Sequence, residues 1–144
     1  MTPACQTFVD AINAVDPNDP DLETKLRAAA DSVATEPDIT PLFRYVFSLF
    51  ERYPQADFGT PGPLVHLLER RFPAYEGDLL ASVSRKPTSH TVWMLNRILN
   101  AKIPEERRAR LLAALEASET HPQADSLCRT EAKRFYERQL EKTG

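Results

Sequence analysis

Apolar positions recur along this chain at helical spacing, with prolines marking the breaks between them. From Pro41 to Tyr53 the polar residues Arg44, Ser48, Glu51 and Arg52 fall at i, i+4, i+7 and i+8, one narrow stripe. The remaining positions are apolar: Leu42, Phe43, Tyr45, Val46, Phe47, Leu49, Phe50 and Tyr53. A helix that is apolar around most of its circumference is a buried one, so this segment is expected to be the central element. After Pro104, Leu111, Leu112 and Leu115 form a narrower stripe beside Arg107, Arg108 and Arg110. The last segment repeats the pattern with Ala124, Leu127, Cys128, Ala132, Phe135 and Tyr136. Both read as amphipathic helices that cover the core. Ser89 to Leu99 carries β-branched and aromatic residues, yet Trp93, Asn96, Arg97 and Asn100 recur with a helical period, so it too is predicted helical.

Proline sets the boundaries. The chain has 12 prolines and 4 glycines. Thr2-Pro3, Asp19-Pro20, Thr40-Pro41 and Thr60-Pro61 each offer an oxygen acceptor at a helix N-cap and proline at the first helical position. Proline is tolerated there because its missing N–H would have had no intrahelical partner. Pro104 and Pro122 follow poorer caps at similar intervals, and Thr88 or Ser89 can start the helix that lacks a proline. Seven or eight helices follow, over about 3–15, 20–34, 41–53, 61–72, 75–84, 90–101, 104–118 and 122–142. Short connections make neighbours antiparallel, and a helix pair every ~40 residues matches the period of HEAT-like repeats. The predicted fold is all-α, one domain over residues 1–144, either an irregular HEAT-like α-solenoid or a compact helical bundle.

Composition supports a folded chain. Of 144 residues, 42% are hydrophobic and 27% charged, ordinary values for a globular domain. The N-terminal Met1-Thr2-Pro3-Ala4-Cys5 has no basic start followed by an apolar run, and no apolar stretch approaches the ~20 residues that span a bilayer. A cytoplasmic protein that meets no membrane is expected. Cys5 and Cys128 lie near opposite ends, and two cysteines in that context read as free thiols. The charge is uneven. Residues 1–60 hold ten acidic and four basic groups, net −6, whereas residues 61–144 hold eleven acidic and fourteen basic, net +3. Such asymmetry bears on partners rather than on fold.

The motifs of common chemistries are missing from the sequence. Gly59-Thr60-Pro61-Gly62 is broken by proline and lacks the Lys-Ser/Thr of a phosphate loop. There is no Gly-x-Ser-x-Gly elbow, and neither cysteine sits in a nucleophile context. His66, His90 and His121 are far apart, without Cys-x-x-Cys or His-Glu-x-x-His. His66 and Glu69 share a helix face, but two ligands do not make a metal site. The expectation is therefore a binding protein, not an enzyme, with no cofactor and no metal. Arg70-Arg71, Arg85-Lys86 and Arg107-Arg108-Arg110 raise nucleic acid, but glutamates alternate with them, and mixed charge reads as a solvated face. Nucleic acid ranks third among partners.

The most distinctive stretches are Gly59 to His66, Arg85-Lys86-Pro87-Thr88 and Thr91 to Arg97. Here the middle third of the chain resembles the small helical immunity proteins encoded beside bacterial polymorphic toxins of contact-dependent inhibition and Rhs-type systems. The resemblance implies a cytoplasmic antidote that binds one cognate toxin domain and blocks its active site or substrate entry. It assigns no residue roles. Beside it stand two readings of the residues themselves. Asp16, Asp19, Asp21, Asp38 and Asp57 fall at predicted helix–helix turns, where they either cap helices or present an acidic edge to a basic partner. Trp93, Asn96 and Arg97 make a polar-aromatic face opposite Val92, Leu95 and Leu99, of the kind enriched at binding hot spots. The alternative there is a core tryptophan with Asn96 bridging backbone. A generic α-solenoid adaptor is the second functional reading, an unfamiliar helical enzyme the last.

Overall fold

The computed structural model describes residues 1–143, and among them every regular element is helical. In chain order these are α1 (Pro3–Asn13), α2 (Leu22–Val33), a 3₁₀ turn (Thr40–Leu42), α3 (Phe43–Arg52), α4 (Gly62–Glu69), α5 (Glu76–Arg85), α6 (Ser89–Leu99), α7 (Glu105–Ser118) and α8 (Ser126–Thr143). The all-α expectation holds. The chain packs as two compact units, Met1–Asp78 and the residues from Leu79 onward. No described helix is long and apolar enough to cross a membrane.

In the first unit α1 packs on α2 and α3, and α2 also packs on α4. The Pro41–Tyr53 stripe is read correctly: Phe43, Val46, Phe47, Leu49 and Phe50 are buried, while Arg44, Ser48 and Arg52 are exposed. Phe47 meets Phe50 edge-on at 6.1 Å, and Phe50 meets Phe58 at 5.6 Å, an aromatic chain around which Phe8 and Ile12 close. In the second unit α6, α7 and α8 each pack on the other two. Leu111 and Leu115 from α7 are buried, as are Cys128, Ala132 and Phe135 from α8. Leu127 corrects the predicted α8 stripe, since it is 52% exposed. The stripe instead runs Cys128, Ala132, Phe135, Gln139, one helix face, with a fully buried glutamine in the fourth place. Gln139 Nε2 donates to Asn96 Oδ1 at 2.7 Å and to Asn100 Oδ1 at 2.9 Å, tying α8 to α6 inside the bundle.

Helix starts follow the proline marks with corrections of a few residues. Thr2 caps α1, accepting from Cys5 N–H at 3.2 Å. Asp19 does not cap α2. Its carboxylate takes the Asp21 N–H at 2.8 Å and pairs with Lys25, so Pro20 falls in a turn and the helix starts at Leu22. Thr40 does not cap α3 either, because Asp38 accepts its N–H at 2.9 Å and the chain makes one 3₁₀ turn first. At Thr60 the left-handed glycines Gly59 (φ 98°) and Gly62 (φ 83°) turn the chain, and α4 starts at Gly62 without a side-chain cap. A Cβ on Gly59 would lie 2.6 Å from the Gly62 Cα, so that turn requires glycine. Pro122 precedes a turn rather than α8, where Asp125 supplies the cap by accepting from Cys128 N–H at 2.8 Å. Thr88 starts α6 with a reciprocal box. Its Oγ1 accepts from Thr91 N–H at 3.2 Å, and Thr91 Oγ1 accepts from Thr88 N–H at 3.0 Å.

Helix ends use side chains from elsewhere. Arg71 donates to the Ala34, Glu36 and Pro37 carbonyls (3.2, 2.7 and 3.3 Å) just beyond α2. Arg108 donates to Leu99 O at 3.2 Å, the end of α6, and to Gln139 O at 3.0 Å in α8. Arg52 reaches Ile12 O near the end of α1 at 3.3 Å. His121 Nε2 donates to Ser84 O near the end of α5 at 2.8 Å, while its Nδ1 accepts from Gln123 N–H at 3.0 Å. Of these acceptors, Ile12, Ser84 and Leu99 are last-turn carbonyls of the kind a helix leaves open at its C-terminus, whereas Ala34, Glu36 and Pro37 lie just beyond α2.

Because both hydroxyls of the Thr88 box are buried, Thr88→Val leaves the Thr91 N–H without its acceptor in a site closed to water. The expected cost is about 1–2 kcal/mol, measured as a lower urea midpoint at unchanged m value. An unchanged midpoint would show that the box contributes nothing.

Candidate partner-binding surface

In the first unit the α1–α2 turn and the α3–α4 loop face each other across an open cleft of about 440 Å³. Its walls are Pro17, Tyr53, Pro54 and Ala56, and its polar rim is Asn18, Arg52, Gln55 and Asp57. Two local choices fix it. Tyr53 ends α3 with a non-helical backbone (ψ 66°) because Pro54 disfavours helix at the residue before it. Arg52 is anchored on Ile12 O and lies over the Tyr53 ring at 5.5 Å, which holds the ring as a wall.

The five candidate aspartates all lie outside the helices, at the turns where they were expected. Their local work differs. Asp16, Asp19, Asp38 and Asp57 each accept a backbone N–H two residues ahead, from Asn18, Asp21, Thr40 and Gly59, at 2.8 to 2.9 Å. Two of them are further engaged. The Asp19 carboxyl is held below its ordinary value by Lys25 and then by the Asp21 N–H, and the Lys25 ammonium is raised in turn. The Asp38 carboxyl is lowered by hydrogen bonds from Thr40, with the Arg71 guanidinium adding attraction. Asp21 precedes α2 without a side-chain cap bond. Asp57 lines the cleft directly, and Asp16 immediately precedes the cleft residues Pro17 and Asn18. Asp16, Asp21 and Asp57 therefore carry exposed charge that no described cation offsets at contact distance.

Trp93, Asn96 and Arg97 lie on α6, in the second unit. Asn96 is interior, 6% exposed and bonded to Gln139, so its polar atoms face the bundle and not a partner. Trp93 and Arg97 are half-buried, with the guanidinium 4.9 Å from the ring centroid. The predicted three-residue face thus resolves into one internal amide and one cation–π pair. Tyr53, Pro54 and Gln55 went unrecognised as candidates, although Tyr-Pro at the end of the most apolar helix is a legible break.

Both cysteines are free and buried, and burial pushes the Cys128 thiol up to about 12, with Asp125 and Glu131 adding to the rise, so it stays a neutral thiol. Among the described residues no group of three or more His, Cys, Asp and Glu is placed to hold a metal ion. No family model, curated protein or solved structure matches the chain.

A double-mutant cycle of Trp93→Ala and Arg97→Ala should show a coupling of about 0.5–1 kcal/mol in urea unfolding, the worth of a cation–π pair that is not fully desolvated. Trp93→Ala alone should cost less than Phe47→Ala, whose fully buried ring is worth about 3–5 kcal/mol. A tryptophan cost equal to that of Phe47 would place Trp93 in the core.

Proposed function

We propose that this chain is a non-catalytic cytoplasmic antidote, an immunity protein that binds one cognate bacterial toxin domain through its acidic first unit. The observation that carries the reading is the distribution of charge between the two units. Met1–Asp78 holds thirteen acidic and six basic residues, net −7, and the remainder holds eight acidic and twelve basic, net +4. The charge asymmetry seen along the sequence is kept when the chain is divided at the packing boundary. A domain of this charge steers a basic partner and penalises an acidic one. Asp16 and Asp57, at the mouth of an apolar-walled cleft, give that attraction a place where aliphatic stems of lysine or arginine can be buried against Tyr53 and Pro54. The resemblance of residues 59–97 to immunity proteins supports the same class of partner.

The basic runs, the main support for a nucleic-acid partner, carry less weight than their composition suggests. Arg71 and Arg108 are bound to backbone carbonyls.

The test is co-expression with the toxin encoded in the adjacent gene, followed by purification and stopped-flow kinetics of the pair. Rescue of growth and a stable one-to-one complex are expected. Association should slow as salt rises, and combined Asp16→Asn, Asp21→Asn and Asp57→Asn should lower the association rate by about tenfold at low salt while changing dissociation much less. Equal death with and without the protein, and no complex on size exclusion, would overturn the antidote in favour of the adaptor reading. Salt-independent association would overturn the role of the acidic unit.

A further inference from the structure

The second unit carries a cleft of a different chemistry. It lies beside the α6–α7 connection and the end of α8, has a volume of about 310 Å³, and is lined by Leu99, Ala101, Lys102, Ile103, Arg108 and Lys142. Three of the six are cations and three are apolar, and no carboxylate of the described residues lines it. Glu105 and Glu106, in the first turn of α7, lie outside the lining.

The cations are held to different degrees. Arg108 is the most fixed, its two Nη groups bound to Leu99 O and Gln139 O. Its Nε is buried and finds no acceptor among the described residues. Lys142 Nζ is placed by Asn100 Oδ1 at 2.6 Å, and the same oxygen accepts from buried Gln139, so the interior amide network sets the position of an exposed ammonium. Lys102 is exposed and bonded to no described residue. The carbonyl end of α6 contributes about half a negative charge, which leaves the positive side in excess.

We propose that this cleft binds a phosphate monoester, its dianion held by Lys102, Arg108 and Lys142 and its organic part lying on Leu99, Ala101 and Ile103. Three cations around one cavity match a doubly charged oxyanion better than a single carboxylate. The volume is at the lower end of small-molecule sites and exceeds what inorganic phosphate fills, so the apolar residues point to an ester. The site lies apart from the acidic cleft in sequence and chemistry, and it stands whether or not the partner is a toxin.

The experiment is a ¹H–¹⁵N NMR titration of the full chain with phenyl phosphate, and separately with inorganic phosphate. Saturable shifts confined to the Ala101–Ile103 connection, Arg108 and Lys142 are expected, with phenyl phosphate about tenfold tighter, the effect of placing one ring against apolar surface. Lys102→Ala with Lys142→Ala should weaken phenyl phosphate by at least about tenfold, while Lys133→Ala, elsewhere on α8, leaves it unchanged. Both lysines are exposed, so the double variant is expected to fold, and an unchanged thermal midpoint checks this. Non-saturating shifts spread over all basic residues, or undiminished binding in the folded double variant, would overturn the site. Equal affinity for the two probes would overturn the ester.

Discussion

Six helices of this chain are followed by a residue other than glycine, and the rest of the structure depends on how those ends are closed. The residues that follow α1, α2, α3, α4, α6 and α7 are Ala14, Ala34, Tyr53, Arg70, Asn100 and Glu119. None adopts the left-handed cap, and side chains from elsewhere add donors near the helix ends. Arg52, Arg71, Arg108 and His121 supply them across 31 to 40 residues for the interhelical contacts of Arg52, Arg71, His121 and the Gln139 bond of Arg108. Each such contact fixes the end of one helix against another element. A planar guanidinium suits this work, because it serves several carbonyl oxygens from one rigid fork. The apolar core brings helices together, and these side chains determine where each one stops relative to its neighbours.

The same constraint explains what could be read from the sequence. Helical period, the buried face of α3 and the existence of α6 follow from local spacing and were legible. Helix starts were legible in kind and displaced in position, because Asp19 and Asp38 formed turns with nearby N–H groups in place of capping. The α8 stripe went astray at its end, since Gln139 is polar and its partners Asn96 and Asn100 lie about forty residues earlier. Nothing local distinguishes Arg71 from Arg70, yet one is bound to three carbonyls and the other is exposed. The aspartates were correctly expected at turns, while the walls of their cleft come from two separate connections and had no joint signature. Lys102, Arg108 and Lys142 are likewise joined only by folding.

Function is drawn from the charges that remain once structural contacts are assigned. In the first unit the guanidinium groups of Arg52 and Arg71 are bound to backbone carbonyls, while Asp16, Asp21 and Asp57 stay exposed. In the second, Arg108 and Lys142 are placed by backbone and amide oxygens around an apolar floor. The proposed basic macromolecular partner for one and the proposed small phosphate ester for the other rest on opposite signs of charge beside apolar walls.

The closure of helix ends by distant arginines is tested most directly at Arg70 and Arg71, adjacent residues with opposite assignments. Urea unfolding of Arg71→Gln and Arg70→Gln compares them at equal charge loss. Removing Arg71 should cost about 2–3 kcal/mol, because three carbonyls lose a charged donor, while removing exposed Arg70 should stay within about 0.5 kcal/mol. Equal effects of the two substitutions would contradict the account.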